Sequence, residues 1–242
     1  MIPSLRLLNF GMLRQYFGHT LVLPDDPRPG IPGPQLLDPA VMIDILNLAA
    51  VHMGEGDIRA RLSLWSIDYV HYLMPLTVAG SLVLGRQLPV ALEEIELVLD
   101  EEAMPAAIRL RHEGRFSLRR DPYKNFAPMI RDHLQPLFIA WADLSGLSPR
   151  VMWSNVANLY EALLGGIDRT RFLPLGLTRR ANALLTDECW PDGWPNPLKT
   201  PVRYLPDHPR MQRWRRVCCV RYLIDRYDYC SNCPHRLARG CS

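Results

Sequence analysis

Several things are missing from this sequence. It has no uninterrupted apolar run of the ~20 residues that a bilayer-crossing helix needs. The best stretch, Leu73 to Gly85, already contains Pro75, Thr77 and Ser81. The start, MIPSLRLLNFGMLRQYFGH, is broken by polar residues and has no small-residue cleavage site, so no secretory signal is expected. Neither charge dominates: 28 basic and 25 acidic residues leave +3, too small an excess to point to nucleic acid, and none is expected as a partner. There is no phosphate loop and no GxGxxG, hence no nucleotide or flavin site of a known pattern, and no HExxH or comparable zinc-catalytic pattern. These absences lead us to expect a soluble, cytoplasmic protein without a transmembrane segment, one that must obtain any electrons from a separate donor.

What is present suits a packed core. With 242 residues and 48% hydrophobic content, the chain fits one large domain, or one domain with an appendage. Residues 1 to 39 read as irregular, with LPDDPRPGIPGPQLLDP as a long surface loop. PAVMIDILNLAAVHM reads as a helix ending near Gly54. Asp57 caps the next, through RARLSLWSIDYVHYLMPL, with Pro75 as a kink or break. EIELVLD and AAIRLRH alternate apolar and polar residues and pair as a hairpin or small antiparallel sheet. Helices follow over NFAPMIRDHLQPLFIAWADLSG, over RVMWSNVANLYEALLGG (opened by Ser148-Pro149, closed by Gly165-Gly166) and over TRRANALLTDEC. WPDGWPNPLKTP reads as a linker, and HPRMQRWRRVCC as a last short helix capped by Asp207. The fold class is α+β, mostly helical, with helices flanking a small antiparallel β-sheet.

The six cysteines point to metal or redox chemistry, because thiols stay reduced in the expected compartment. Four fall together: Cys218-Cys219, ten residues, Cys230, two residues, Cys233, then Pro234. Two thiolates two residues apart grip one centre from a single turn. Adjacent side chains diverge on a helix or strand, so the vicinal pair needs a helix end or turn to reach the same centre. A disulfide frame conflicts with the missing signal peptide. A four-cysteine zinc site remains open, although zinc ribbons space each pair by two to four residues. A [2Fe–2S] cluster, with four thiolates spread over two irons, also remains open. Of the other two cysteines, Cys189 reads as a buried small hydrophobe and Cys241 sits on the tail.

The segment RWRRVCCVRYLIDRYDYCSNCPHR closely resembles the C-terminal motif of the ferric-siderophore reductase family, the FhuF type. Its members end in a vicinal cysteine pair, about ten residues and a Cys-x-x-Cys, with arginines just upstream. MWSNVANLYEALL, with Trp153, Ser154 and Asn155, resembles the family's Trp-Gly/Ser-Asn helix, and LWSIDYVHYLMPLTVAGSLVLGRQLPVALEEIELVLDE resembles the helix, turn and strand before it. The likeness spans roughly residues 60 to 240. It implies a siderophore-iron reductase with a C-terminal iron–sulfur segment, in which Cys218, Cys219, Cys230 and Cys233 hold a [2Fe–2S] cluster. One electron would pass from the cluster to siderophore-bound Fe(III) and release Fe(II), with no catalytic residues beyond the cluster ligands. The implied division is an irregular segment over 1–39, a reductase-like domain over 40–200 and a [2Fe–2S]-binding segment over 201–242.

The charge supports an anionic partner for that last segment. From Pro201 onward nine arginines face three aspartates, near +6, which leaves the rest near −3. Arg213, Arg215, Arg216 and Arg221 are therefore candidate contacts for an anionic ferric siderophore or an acidic electron donor. They could equally offset the cluster's own charge. His235 borders the motif and is a candidate proton relay, and Asn155 is a polar residue in the middle of a helix with no evident role. Two other classes stay open: a zinc-stabilised interaction module built on the four cysteines and without redox activity, and a relative of the siderophore-synthetase C-terminal domain.

Overall fold

Two aspartates start the first long helices. The Asp38 side chain accepts from the Ala40 N–H at 2.8 Å, and Asp57 from the Arg59 N–H at 2.8 Å. They open α1, Pro39–Met53, and α2, Ile58–Leu84. The computed structural model describes residues 2–117, 121–207 and 212–238. The remaining helices are α3, Pro122–Met129; α4, Gln135–Ser145; α5, Pro149–Asp168; α6, Ala183–Thr186; and α7, Pro234–Ala238. Strands β1, Leu21–Val22; β2, Ile31–Pro32; β4, Ile95–Leu99; and β5, Pro105–Leu110 form one sheet in the order β1-β5-β4-β2. Two short ribbons pair β3, Arg86–Gln87, with β6, Arg115–Phe116, and β7, Val202–Tyr204, with β8, Arg213–Arg215. About half the chain is helical, as the α+β expectation requires. The expected hairpin is β4 on β5, antiparallel, with Leu97 opposite Ile108; β1 adds to it in parallel.

The core forms around α2, which packs against α5, α4, α1 and the hairpin. Trp65 stacks on Tyr69 at 5.6 Å and meets Trp141 edge-on at 5.6 Å. Each indole also satisfies its polar atom. Trp65 Nε1 donates to the Ala103 carbonyl at 3.0 Å, and Trp141 Nε1 to the Leu36 carbonyl at 2.9 Å. The aromatic stack thus ties the hairpin turn and the Gly33–Leu37 3-10 turn to the helices.

Several elements depart from their sequence signals, each for a packing reason. Pro75 does not break α2; Leu73, Met74 and Leu76 are buried around it and the helix runs on to a left-handed Gly85. By length and composition α2 would also pass as a membrane span, but 56% of its most apolar window is buried in the protein, as in a core helix. Pro128 and Pro136 flank a π turn, Ile130–Leu134, that joins α3 to α4 without a loop and absorbs the missing donors. Gly165 and Gly166 do not end α5. A Cβ at Gly166 would stand 1.9 Å from Met12 Sδ, so that glycine is a notch for a neighbour rather than a cap.

Other corrections concern the termini and the last third. Residues 1–39 lack long elements, yet Leu5, Leu8 and Leu13 enter the main core. TRRANALLTDEC holds only the four-residue α6. WPDGWPNPLKTP is not a free linker: Trp190 and Leu198 are buried, and Arg131 lies over both Trp190 and Trp194 at 5.3 and 4.9 Å. The helix expected over HPRMQRWRRVCC is instead β8 from Arg213, with Arg216 N–H bonded to the Pro201 carbonyl; residues 208–211 lie outside the described residues. Cys189 is exposed rather than buried, in an isolated bridge with Pro195, and Cys241 lies outside the described residues.

One buried polar pair sets an expected acid response. His133 Nδ1 donates to the Val90 carbonyl at 2.7 Å and Nε2 accepts from Tyr69 OH at 2.6 Å, so the ring is neutral and fully enclosed. Burial holds its pKa down at about 4. A folded value below the unfolded ~6.5 stabilises fully above that pH, and the contribution is lost as pH falls through about 4. Urea unfolding at pH 7 and 4.5 should therefore show a drop of roughly 2 to 3 kcal/mol that is absent from the same comparison on His133→Gln. Equal pH slopes in the two proteins would contradict it.

Candidate metal centre

The chain brings its four C-terminal cysteines together. Past β8 it leaves regular structure at Cys218-Cys219. Val220 then turns left-handed (φ 52), a rare conformation for a β-branched residue, and its N–H donates to Cys218 Sγ at 3.4 Å. A 3-10 turn, Arg221–Leu223, carries the chain to Ile224, which is fully buried and bridges Gly56 just before α2. Gly56 permits that approach, since a Cβ there would stand 2.8 Å from the Leu223 carbonyl oxygen. The returning chain closes on itself: Cys233 N–H bonds the Cys230 carbonyl at 3.1 Å, and Arg215 N–H bonds the Asn232 carbonyl at 3.0 Å.

The thiols then touch in sequence. Cys218 Sγ lies 3.6 Å from Cys233 Sγ, and the Cys219 thiol interacts with those of Cys218 and Cys230. Contacts from Cys218 and then Cys230 hold the Cys219 thiol far below its ordinary range, and the positive charge of Arg215 adds to this. The contact with Cys219, then burial, pushes Cys218 and Cys230 up. Cys219 and Cys233 are buried, whereas Cys218 and Cys230 are half-buried and give the group one open edge.

A buried polar chain fastens this group to the helices. Arg215 is 6% exposed, and its Nη2 donates to Asn155 Oδ1 on α5. Asn155 Nδ2 donates to Ser63 Oγ on α2 at 3.3 Å, and Ser63 Oγ donates to the Cys219 carbonyl at 2.7 Å. This gives Asn155 the partners a buried amide requires. Arg215 Nε is buried and has no hydrogen-bond partner, and among the described residues no carboxylate pairs with this guanidinium. An unneutralised buried cation is costly. The positive charge of Arg215 helps hold Cys219 ionised, while Cys230, on which it also acts, stays raised by its contact with Cys219 and by burial.

The other candidate arginines disperse. Arg213 pairs with Glu161 at 2.8 Å and bonds the Asn158 carbonyl. Arg221 bonds the Asp228 carbonyl at 2.7 Å and lies over Tyr227. Arg216 is exposed, with only a 3.3 Å bond from Nε to the Val202 carbonyl. They do not form one patch, and the burial of Arg215 suits an internal charge rather than contact with a solute. His235 lies among the rings of Tyr222 and Tyr229 at 5.6 Å from each.

Two comparisons bear on what the group holds. A family model described as "Ferric iron reductase FhuF-like transporter" matches residues 63–210, and one described as "FhuF 2Fe-2S C-terminal domain" matches residues 215–235. The chain belongs to the FhuF-like ferric iron reductase family. The cofactor of the family's C-terminal domain is a [2Fe–2S] cluster, and the residues fit it. Four sulfur donors converge, and the orphaned Arg215 Nε awaits an anionic acceptor. No curated protein matches the chain. Among solved structures, ATP-bound aerobactin synthetase IucA from a hypervirulent pathotype of Klebsiella pneumoniae is similar at TM-score 0.57 and 12% identity, over 73% of this chain and 38% of that one. A second IucA structure from that pathotype gives 0.56 and 12%, over 72% and 38%. The likeness is one of fold, and this chain spans well under half the length of those chains.

Asn155→Ala should leave both the Arg215 guanidinium and Ser63 short of a buried partner. The expected cost is about 1 to 3 kcal/mol in denaturant unfolding, with faster loss of iron from the purified protein. Asn158→Ala, one turn along the same helix, should do neither. Identical iron loss in the two variants would show that the polar chain does not hold the cysteine segment.

Proposed function

We propose that the protein is a cytoplasmic ferric-siderophore reductase, with Cys218, Cys219, Cys230 and Cys233 as the ligands of its [2Fe–2S] cluster. The observation that carries this reading is the convergence of those four thiols beside a buried, unneutralised arginine, in a chain of the ferric iron reductase family. The division into a helical body over 40–200 and a cluster segment over 201–242 belongs to the same proposal.

The chemistry of the substrate defines the task. A siderophore encloses Fe(III) in hard oxygen ligands that hold the softer, less charged Fe(II) weakly, so one electron opens the cage. Each decade of ferric preference lowers the potential of the complex by ~59 mV, and ten decades by about 0.6 V. A cluster of the plant type, with four cysteine ligands, supplies a single electron near about −400 mV, low enough for many such complexes. The protein's own residues have three jobs. The four thiols bind. The Ser63–Asn155–Arg215 chain fixes the vicinal pair against α2 and α5 and places a positive charge beside it. Burial of Cys219 and Cys233 with partial exposure of Cys218 and Cys230 leaves one face for electrons to enter and leave. The donor is a separate protein or small reductant.

The fold likeness to IucA favours a second reading, a synthetase relative that handles siderophores without redox chemistry. The cluster ranks this second, because joining a siderophore's parts needs no electron carrier.

Two experiments test the reading together. Cys230→Ser should lose the cluster on purification, because a hydroxyl replaces a soft anionic ligand, whereas Cys189→Ala keeps it; equal iron retention would show a wrong ligand set. Reduced wild-type protein, freed of excess reductant, should be reoxidised on anaerobic mixing with hydroxamate, catecholate or citrate-type ferric complexes. A ferrous chelator should then capture about one iron per chain, matching the cluster's single electron. A cluster that stays reduced with all three complexes ends the reductase assignment.

A further inference from the structure

A cavity of about 270 Å³ is walled in part by the residues that lead into the vicinal cysteine pair. Its walls are the first turns of α5, the turn around Thr200, and Arg216-Val217, the two residues before Cys218. Ser154 lines it, is 7% exposed, and its Oγ has no hydrogen-bond partner. Arg150 lies four residues earlier on the same helix face, and Arg216 lines the cavity from the other wall. Among the described residues neither arginine is in an ion pair, while Lys199, also in the lining, pairs with Glu188. Among the described residues no acidic side chain lines the cavity.

The rim is preformed. Thr200 is held left-handed (φ 49), a strained state for a β-branched residue, by its N–H bond to the Leu185 carbonyl at 3.0 Å. The neighbouring bond from Arg216 N–H to the Pro201 carbonyl at 3.0 Å ties the two walls together. A larger cavity, about 560 Å³, lies at the other end of α2, lined by residues such as Ser81 and Gly85. It is about 18 residues from Ser63, or ~27 Å along the helix, and so remote from the thiols.

We propose that the cavity beside Cys218 binds a carboxylate of an anionic iron(III) chelate and so seats the metal at the open edge of the cysteine group. Two unpaired guanidiniums and a buried, unpartnered hydroxyl form a donor set that suits carboxylate oxygens. The volume admits a carboxylate-bearing arm or a citrate-sized ligand and not a whole large siderophore, whose remainder stays outside. This inference rests on the reductase reading, but its test does not use electron transfer.

Gallium(III) forms complexes like those of iron(III) and is redox-inert under these conditions. Cluster-loaded wild type, Arg150→Glu, Arg216→Glu and Ser154→Ala are titrated calorimetrically with gallium(III)–citrate, free citrate and a neutral gallium(III) trihydroxamate. Arg150 and Arg216 are exposed and outside ion pairs, so the cluster's visible spectrum should be unchanged. Gallium(III)–citrate should bind wild type and lose at least about tenfold in affinity in each charge-reversed variant, and a smaller factor in Ser154→Ala. The neutral complex should show no difference between the proteins. Equal affinities in all four, no binding to wild type at millimolar concentration, or free citrate binding as tightly as its gallium complex would each overturn the proposal. Single-turnover oxidation of the reduced cluster by ferric citrate, run alongside, judges the reductase reading separately. Oxidation at the same rate in wild type and Arg150→Glu keeps that reading and removes the pocket, whereas failed oxidation with gallium binding intact does the reverse.

Discussion

A buried guanidinium with no carboxylate partner among the described residues is the constraint around which the cysteine segment is arranged. Arg215 cannot be stable at 6% exposure unless something anionic faces it. Its hydrogen bond to Asn155 satisfies one nitrogen and supplies no charge. The Cys219 thiol, held far below its ordinary range by its cysteine neighbours and by Arg215, offers that charge. Ser63 completes the coupling, because it fixes the Cys219 carbonyl and leaves the vicinal pair little freedom.

The helical body serves this end. Through the Ser63–Cys219 bond and the Gly56–Ile224 bridge, α2 is anchored to the cysteine segment at its N-terminal end and to the aromatic stack of Trp65, Tyr69 and Trp141 in the core. The short β7–β8 ribbon ends with Trp214 and Arg215 both buried, and Arg216, just past the strand, is exposed. One arginine thus acts on the thiols and the next lines the cavity. A fold shared with a siderophore synthetase and membership of a ferric iron reductase family meet in this arrangement.

What could be read from the sequence was local. The four cysteines stood out because their spacing is compact and unusual, and α1 and α2 were legible from Asp38, Gly54 and Asp57, where cap and periodicity agree. The polar chain was not legible. Ser63 and Asn155 are 92 residues apart and Asn155 and Arg215 60 apart, and no local pattern announces such partners. The one available hint was a polar residue on an otherwise apolar helix face, which made Asn155 notable without naming its contact. Counting arginines after Pro201 found a basic segment but could not tell that Arg215 points inward. The glycines of α5 and the tryptophans near Trp190 misled for a similar reason, because a distant neighbour fills the notch or stacks on the ring.

Mössbauer spectroscopy of protein grown on isotopically enriched iron tests the centre of this account most directly. The oxidised protein should show two like ferric sites in tetrahedral sulfur coordination. One-electron reduction should turn one of them ferrous and leave the other ferric. A single iron environment that does not split on reduction, or a colourless protein holding one zinc in its place, would contradict it.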